Sequence, residues 1–280
     1  FQPSSKSRSP TLSSMKLKFR DTELQIGPRP LVMGIVNLGA DSFSGDGTPE
    51  IEGAIERARV HLADGADIID VGAESARTNR PAISVDEEVA QLLAFIRRWP
   101  ELRSGFGPLP MLSINTWRPE VVRRVLPVGG DLLNDIGALP TDENARICAA
   151  NGVALLIMHS IGEPKVPHTH VAYDDVMARM EAFFEQKLKE CEAAGLPADA
   201  TVIDPGIDFA KQREHNLRIF RELERFKAYG RPILLPVSRK TVIGQVLNIA
   251  EAHERDAGTV SCIVQGMLHG ADIFRVHNVK

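Results

Sequence analysis

Eight short apolar runs recur along the chain, and each closes on polar residues before a stretch with helical character. With their polar ends, the runs span residues 31–37, 67–74, 111–115, 132–135, 154–159, 202–204, 233–240 and 273–278. In repeated βα units the carboxyl ends of parallel strands meet on one face. The pattern therefore predicts an α/β fold, a (β/α)8 TIM barrel, with its active site on that face.

Local signals mark where individual elements begin and end. Ser84 followed by Glu87 forms a capping box that starts a helix, and Pro119 suits the first turn of the next one. Residues 17–26 alternate between apolar and polar around a turn, which predicts a hairpin at the bottom of the barrel. The sequence stops at Lys280, so we expect the eighth helix to be missing from this chain.

The first residues differ in composition from the rest. Residues 1–14 are rich in Ser and Pro and contain no acidic side chain, which predicts a disordered tail. The remaining segment, 15–280, has the length of one TIM barrel, and we predict a single domain there.

Charge and cysteine content exclude several kinds of partner. The net charge of −4 is spread without a basic stripe, so we expect neither nucleic acid nor an anionic membrane surface as a partner. No apolar run approaches the roughly 18 residues that a membrane span needs. Cys148, Cys191 and Cys262 lie far apart without metal-ligand spacing, which predicts reduced thiols in a cytoplasmic protein.

The polar residues that end the strands carry the candidate chemistry. They are Asn37, Glu74, Asn115, Asn134, Asp204, Lys240, Arg275 and His277. Residues two apart on a strand face the same side, so Arg275 and His277 should project together as an anion receptor. Amides, carboxylates and cations around one cavity suit a polar heterocycle that bears an anionic group, and they do not suit zinc. For Asp204, which precedes Pro205-Gly206, capping a turn is an equally good interpretation.

Seven motifs in order resemble those of the dihydropteroate synthases, a family of pterin-binding barrels. They lie at 32–37 with 41–44, 67–75 with Arg77, 134–135, 158–159, 204–207 with Phe209 and Lys211, 238–240, and 275–277. The resemblance covers residues 30–279. It implies condensation of 6-hydroxymethyl-7,8-dihydropterin pyrophosphate with p-aminobenzoate, which gives 7,8-dihydropteroate and pyrophosphate.

The resemblance also implies a set of site residues. The catalytic residues would be Lys240, Asp204, Arg275 and His277. The substrates would contact Asn115, Asn134, Met158, Asp204, Phe209, Lys240, Ser238, Thr241, Arg77 and Ala76. Asn37 would hold Mg²⁺ together with the pyrophosphate oxygens. Sulfonamides would compete with p-aminobenzoate, and the family implies a homodimer.

The chain departs from the family pattern at several positions. An amide, Asn115, stands where the family has Asp, which keeps the shape but removes a charge. Ala76 and Thr78 replace Thr and Pro in the loop after the second strand, and Asp208 and Ala210 replace Gly after the sixth. These changes fall on the p-aminobenzoate side and at one pterin contact.

Two alternatives to an active synthase follow from the departures. One is a catalytically weak paralogue that binds a pterin without turnover. The other is a methyltransferase that moves a methyl group from a tetrahydrofolate to a corrinoid protein. The Ser-Arg-Lys of residues 238–240 counts against the second alternative.

Overall fold

Parallel strands form a barrel around which the rest of the chain is arranged. The computed structural model describes residues 15–38, 47–74, 81–106, 110–166 and 171–280, with the backbone alone for 47–50. In chain order the strands are β1 (Met15–Phe19), β2 (Thr22–Ile26), β3 (Leu31–Asn37), β4 (Ile68–Gly72), β5 (Met111–Asn115), β6 (Leu132–Asp135), β7 (Ala154–Met158), β8 (Thr201–Asp204), β9 (Leu234–Leu235) and β10 (Ile273–Val276). Residues 1–14, for which the sequence predicts disorder, lie outside the described ranges.

Strands β3 to β10 make up the barrel. Their order is β8-β7-β6-β5-β4-β3-β10-β9, with every neighbouring pair parallel. A bridge between Ile203 and Ile233 connects the two ends of this order and closes the sheet. The predicted eight-stranded α/β barrel is confirmed.

Helices cover the outside of the barrel. They are α1 (Gly47–Ala63), α2 (Val85–Ser104), α3 (Pro119–Val125), α4 (Glu143–Asn151), α5 (Val176–Ala193), α6 (Arg213–Glu222), α7 (Thr241–Leu247) and α8 (Asp256–Leu268). The Ser84 hydroxyl accepts a hydrogen bond from the Glu87 amide at 3.1 Å, which is the N-cap half of the predicted capping box. Pro119 is the first residue of α3, as predicted. Residues 277–280 follow β10 without forming a helix. Within the described ranges, no helix has the length and apolar character needed to cross a membrane.

The hairpin β1-β2 closes the amino-terminal end of the barrel. Leu17, Phe19 and Ile26 are buried, and they pack against the lowest inward side chains of the barrel strands. Burying each such side chain stabilises the fold by roughly 1.5–3 kcal/mol. With its lower end filled in this way, the barrel leaves its polar side chains at the opposite end.

Candidate active site

The phase of each strand determines which side chains enter the barrel. Ile68, Met111, Leu132, Val202 and Ile273 belong to the inner apolar cluster. Because side chains alternate along a strand, the residues two positions further on also face inward. These residues are Asp70, Ser113, Asn134, Asp204 and Arg275, and Asn115 follows Ser113 by the same step.

Asp70 lies at the centre of these inward polar groups and is fully buried. Its carboxylate accepts hydrogen bonds from the Ser113 hydroxyl at 2.6 Å and from Arg275 Nε at 2.7 Å. Asn115 Nδ2 lies 3.3 Å from Oδ2, and Asn134 Nδ2 lies 3.2 Å from both oxygens. Sequence reasoning did not select Asp70 as a site residue. The available signal was a carboxylate in the middle of an apolar strand, at an inward position.

The amides of Asn115 and Asn134 each donate to Asp70 with their nitrogen. The Asn134 carboxamide oxygen is buried, and it has no hydrogen-bond partner among the described residues. A buried acceptor without a donor costs free energy, so this oxygen is suited to an N–H of a ligand. The structure thus brings together two of the amides that the sequence proposed for substrate binding.

Asp204 caps a turn, one of the two roles that the sequence left open, and its position leaves an oxygen for the other role. Its Oδ1 accepts a hydrogen bond from the Gly206 amide at 2.7 Å, so it caps the turn after β8. Gly206 has a positive φ of 67°, and a Cβ there would collide with the His159 carbonyl oxygen. The Asp204 side chain also faces the barrel interior, where burial raises its pKa to about 6. Its second oxygen can therefore meet a ligand within a site of low polarity.

Lys240 lies close to the loop that follows β8. Its Nζ donates to the Ile207 carbonyl at 2.8 Å and lies 4.8 Å from the centroid of the Phe209 ring, a cation–π distance. Burial lowers the pKa of Lys240. Thr241, the first residue of α7, is adjacent in sequence and exposed. Phe209, Lys240 and Thr241, all proposed from the sequence, are thus neighbours.

Lys211 holds the loop that follows β8 through hydrogen bonds to backbone carbonyls. Its Nζ donates to the carbonyls of His159, Gly206 and Phe209 at 3.1, 3.0 and 3.0 Å. An ammonium group has three donors, and three carbonyl acceptors satisfy all of them. Burial lowers the pKa of Lys211 to about 7. This lysine therefore organises the backbone that presents Asp204 and Phe209.

Arg275 and His277 have different hydrogen-bond partners in the described structure. Arg275 pairs with Asp70, and its side chain keeps 24% of its surface exposed. His277 donates its backbone amide to the Ser238 hydroxyl at 3.1 Å, and its Nδ1 lies 3.0 Å from the same oxygen. Ser238 thereby links the end of β9 to the end of β10.

The remaining candidates occupy the rim and the floor. Asn37 is exposed at the end of β3, and its backbone carbonyl accepts from Arg57 at 3.0 Å. Met158 is buried at the end of β7 in the inner apolar cluster. Ala76 and Arg77 lie outside the described residues. Within the described ranges, no three His, Cys, Asp or Glu side chains come together as a metal site.

Glu74 belongs to an ion-pair cluster, although the sequence placed it among the cavity residues. Its carboxylate pairs with Lys165 at 2.5 Å and Arg118 at 3.0 Å, and it accepts the Ile83 amide at 2.9 Å. Arg118 also pairs with the buried Glu88 at 2.5 Å. This cluster connects the segments before and after residues 75–80 to the loops after β5 and β7.

The fold and the site define a pterin-binding barrel enzyme. The family model described as "Pterin binding enzyme" matches residues 33–277, and the chain belongs to this family. Its relatives include the dihydropteroate synthase of Escherichia coli, 35% identical over 267 residues, which cover 95% of this chain and 92% of the relative. The dihydropteroate synthase of Synechocystis is 35% identical over 256 residues, 91% of this chain and 87% of the relative.

Solved structures agree with the sequence relatives. Dihydropteroate synthase from Xanthomonas albilineans with 4-aminobenzoic acid aligns with a TM-score of 0.84 at 33% identity, covering 95% of this chain and 94% of that one. The enzyme from Yersinia pestis with a sulfonamide drug complex aligns with a TM-score of 0.84 at 34% identity, covering 95% and 94%. The family resemblance drawn from the sequence motifs is confirmed.

Proposed function

We propose that this chain is a dihydropteroate synthase that joins 6-hydroxymethyl-7,8-dihydropterin pyrophosphate to p-aminobenzoate and releases pyrophosphate. The supporting observation is that Asp204, Asn134, Lys240 and Arg275 surround one barrel end in a chain whose dihydropteroate synthase relatives match it over 95% of its length. A carboxylate, an unpartnered amide oxygen and fixed cations form the set of groups that an amino-pyrimidinone ring with an anionic arm requires.

The pterin would be recognised inside the barrel. The Asp204 carboxylate would accept two N–H groups of the amino-pyrimidinone edge, and Asn134 and Asn115 would contact the rest of the ring. Lys240 would donate to ring acceptors, and Met158 would form the floor. On the outer side, Phe209, Ser238 and Thr241 would flank p-aminobenzoate, together with Ala76 and Arg77 from the loop after β4.

The pyrophosphate would lie at the rim. Arg275, His277 and Arg77 would neutralise its oxygens, and the Asn37 side chain would hold Mg²⁺ together with those oxygens. Among the residues that the structure describes, one exposed carboxamide without a carboxylate cluster suits an ion that keeps most of its ligands from substrate and water. When bound, Mg²⁺ supplies positive charge that favours departure of the pyrophosphate.

The reaction requires no protein nucleophile. The bond between the pterin methylene carbon and the pyrophosphate oxygen breaks, and both bonding electrons leave with pyrophosphate. The amine nitrogen of p-aminobenzoate then bonds to the methylene carbon and loses a proton. Fixed cations at the rim and carboxylates inside the barrel stabilise the separated charges, which is the usual source of catalysis in a preorganised site.

Pyrophosphate release with and without p-aminobenzoate tests the proposal. Release that depends on the amine is expected from the unmodified protein. Ligand-induced stabilisation without release, in this protein and in Asn115→Asp, would favour the catalytically weak paralogue. Methyl transfer from a methyltetrahydrofolate to a corrinoid protein would favour the third hypothesis. The homodimer and the cytoplasmic location are further proposals, the second supported by three free cysteines.

A further inference from the structure

We propose that Asp70 is a positioning residue for this reaction. Its carboxylate orients the Arg275 guanidinium toward the pyrophosphate and provides the negative charge beside Asn115 in the pterin pocket. The inference rests on the proposed function, because it assigns a task within the same site.

The contacts of Asp70 connect separate strands of the barrel. Ser113 and Asn115 reach it from β5, Asn134 from β6 and Arg275 from β10. A carboxylate has about four lone-pair positions, and these four donors occupy them. Because Asp70 is fully buried, no water competes for them. Removing the charge would therefore release several proposed ligand-binding groups at once.

The geometry of Arg275 explains how its ion pair with Asp70 would assist the binding of pyrophosphate. Arg275 donates to Asp70 through Nε, and its two terminal nitrogens make no hydrogen bond within the described part of the chain. The guanidinium is planar, so a contact that fixes Nε also fixes the direction of both terminal NH₂ groups. The partly exposed side chain is then oriented to present a two-pronged donor to anionic oxygens.

The Asp70 carboxylate also places a negative charge next to Asn115 in the proposed pterin pocket. Asn115 is neutral, yet its Nδ2 lies 3.3 Å from Asp70 Oδ2. The carboxylate that Asn115 lacks is thus present on the adjacent strand, β4, within the same hydrogen-bond network. A negative charge at this place stabilises the positive charge that develops on the pterin methylene when pyrophosphate departs.

Exchanging the two side chains tests the inference directly. Asp70→Asn should reduce kcat about 100-fold, the cost of misplacing a catalytic group by roughly 1 Å, and should raise the KM for the pterin pyrophosphate. The KM for p-aminobenzoate should be unchanged. The double variant Asp70→Asn/Asn115→Asp, which returns the carboxylate to the network from β5, should recover about tenfold or more, at least 1.4 kcal/mol.

Asp135→Asn is the matched control, because it neutralises another buried carboxylate, one that accepts hydrogen bonds from Asn144 and Gly137 outside the barrel interior. It should retain kcat and both KM values. A kcat and pterin KM for Asp70→Asn equal to those of the unmodified protein would overturn the inference. A double variant no more active than Asp70→Asn would overturn it too. If Asp70→Asn does not fold, the folded double variant must still exceed the activity of an Arg275→Met variant.

Binding of inorganic pyrophosphate, measured by calorimetry, separates the two proposals. Asp70→Asn should weaken this binding about tenfold, because Arg275 loses its fixed direction. If the unmodified protein releases no pyrophosphate with p-aminobenzoate, the proposed function fails. The Asp70 inference then stands or falls on whether Asp70→Asn changes pyrophosphate affinity while Asp135→Asn does not.

Discussion

Asp208 provides the sharpest test of how the loops around the p-aminobenzoate site are held. Its Oδ2 accepts the Thr241 amide at 2.5 Å, and its Oδ1 accepts the Val242 amide at 3.3 Å, so it caps the start of α7. Asn216 Nδ2 donates to Oδ1 at 3.0 Å. In the sequence, Asp208 is a departure from the Gly of the family on the p-aminobenzoate side. In the structure, its carboxylate joins the β8 loop to α6 and α7.

The magnitude follows from these contacts and from the backbone. Asp208 has a φ of 68°, a conformation that costs a residue with a Cβ about 1 kcal/mol. Asp208→Ala loses the helix cap, about 1 kcal/mol, and leaves the Asn216 donor unpaired, about 1 kcal/mol more. Asp208→Gly loses the same contacts but relieves the backbone, for a net cost of about 1 kcal/mol. Asp208→Asn keeps one acceptor oxygen, but its NH₂ group faces the Asn216 donor, so it loses the favourable charge at the helix terminus, about 0.5 kcal/mol, and leaves that donor unpaired, about 1 kcal/mol more.

Urea unfolding of the four proteins should therefore give the order unmodified, Gly, Asn, Ala, from most to least stable. The KM for p-aminobenzoate should increase in the same order, because Phe209 and Thr241 lie on the two loops that Asp208 joins. The KM for the pterin pyrophosphate is the internal control and should change less. Equal stabilities for all three variants, or an Ala variant as stable as the unmodified protein, would refute this account of the cap.

Three further predictions concern other parts of the molecule. Burial raises the pKa of Asp204 to about 6. The affinity for a pterin that lacks the pyrophosphate should therefore decrease as the pH falls through about 6, because protonation removes one of the hydrogen-bond acceptors. Fluorescence titration at a series of pH values measures this affinity. Arg118→Met leaves the fully buried Glu88 without its cation and should reduce the free energy of unfolding by about 3 kcal/mol in urea denaturation. Two apolar side chains of α8, Val264 and Leu268, are 52% and 75% exposed, which favours their burial between two copies of the chain. Light scattering should therefore measure twice the mass of one chain for the unmodified protein and the mass of a single chain for Val264→Glu.

Each of these predictions has a control. Asp135 also has a pKa raised by burial to about 6, but it lies outside the barrel, where Asn144 and Gly137 donate to it, so Asp135→Asn should leave the pH dependence of binding intact. An affinity that is flat across the acid range would contradict the role given to Asp204. Adding Glu88→Gln to Arg118→Met should restore part of the lost stability, and an unchanged midpoint in Arg118→Met would count against the ion pair. A monomeric mass for the unmodified protein would disprove the dimer.

Much of the fold followed from local pattern. Both faces of a barrel strand are buried, so each strand is a continuous apolar run, and these runs located the barrel strands to within one or two residues at most ends. The run predicted for β9, residues 233–240 with its polar end, was too long, since the strand is Leu234–Leu235. Pro232 and Pro236 flank it, and a proline cannot donate to a strand ladder.

The sequence by itself determined the barrel, the end at which polar groups collect, and a set of candidates that includes Asp204, Lys240 and Arg275. Those properties depend on residue type and on spacing over a few positions. Only the tertiary structure decided which charges neutralise one another. Asp70 and Arg275 are 205 positions apart, and they pair because the barrel brings β4 and β10 to either side of β3. The same closure placed Asp208 at the start of α7 and Glu74 beside Arg118. Such partners are chosen by distance in space, which no local pattern records.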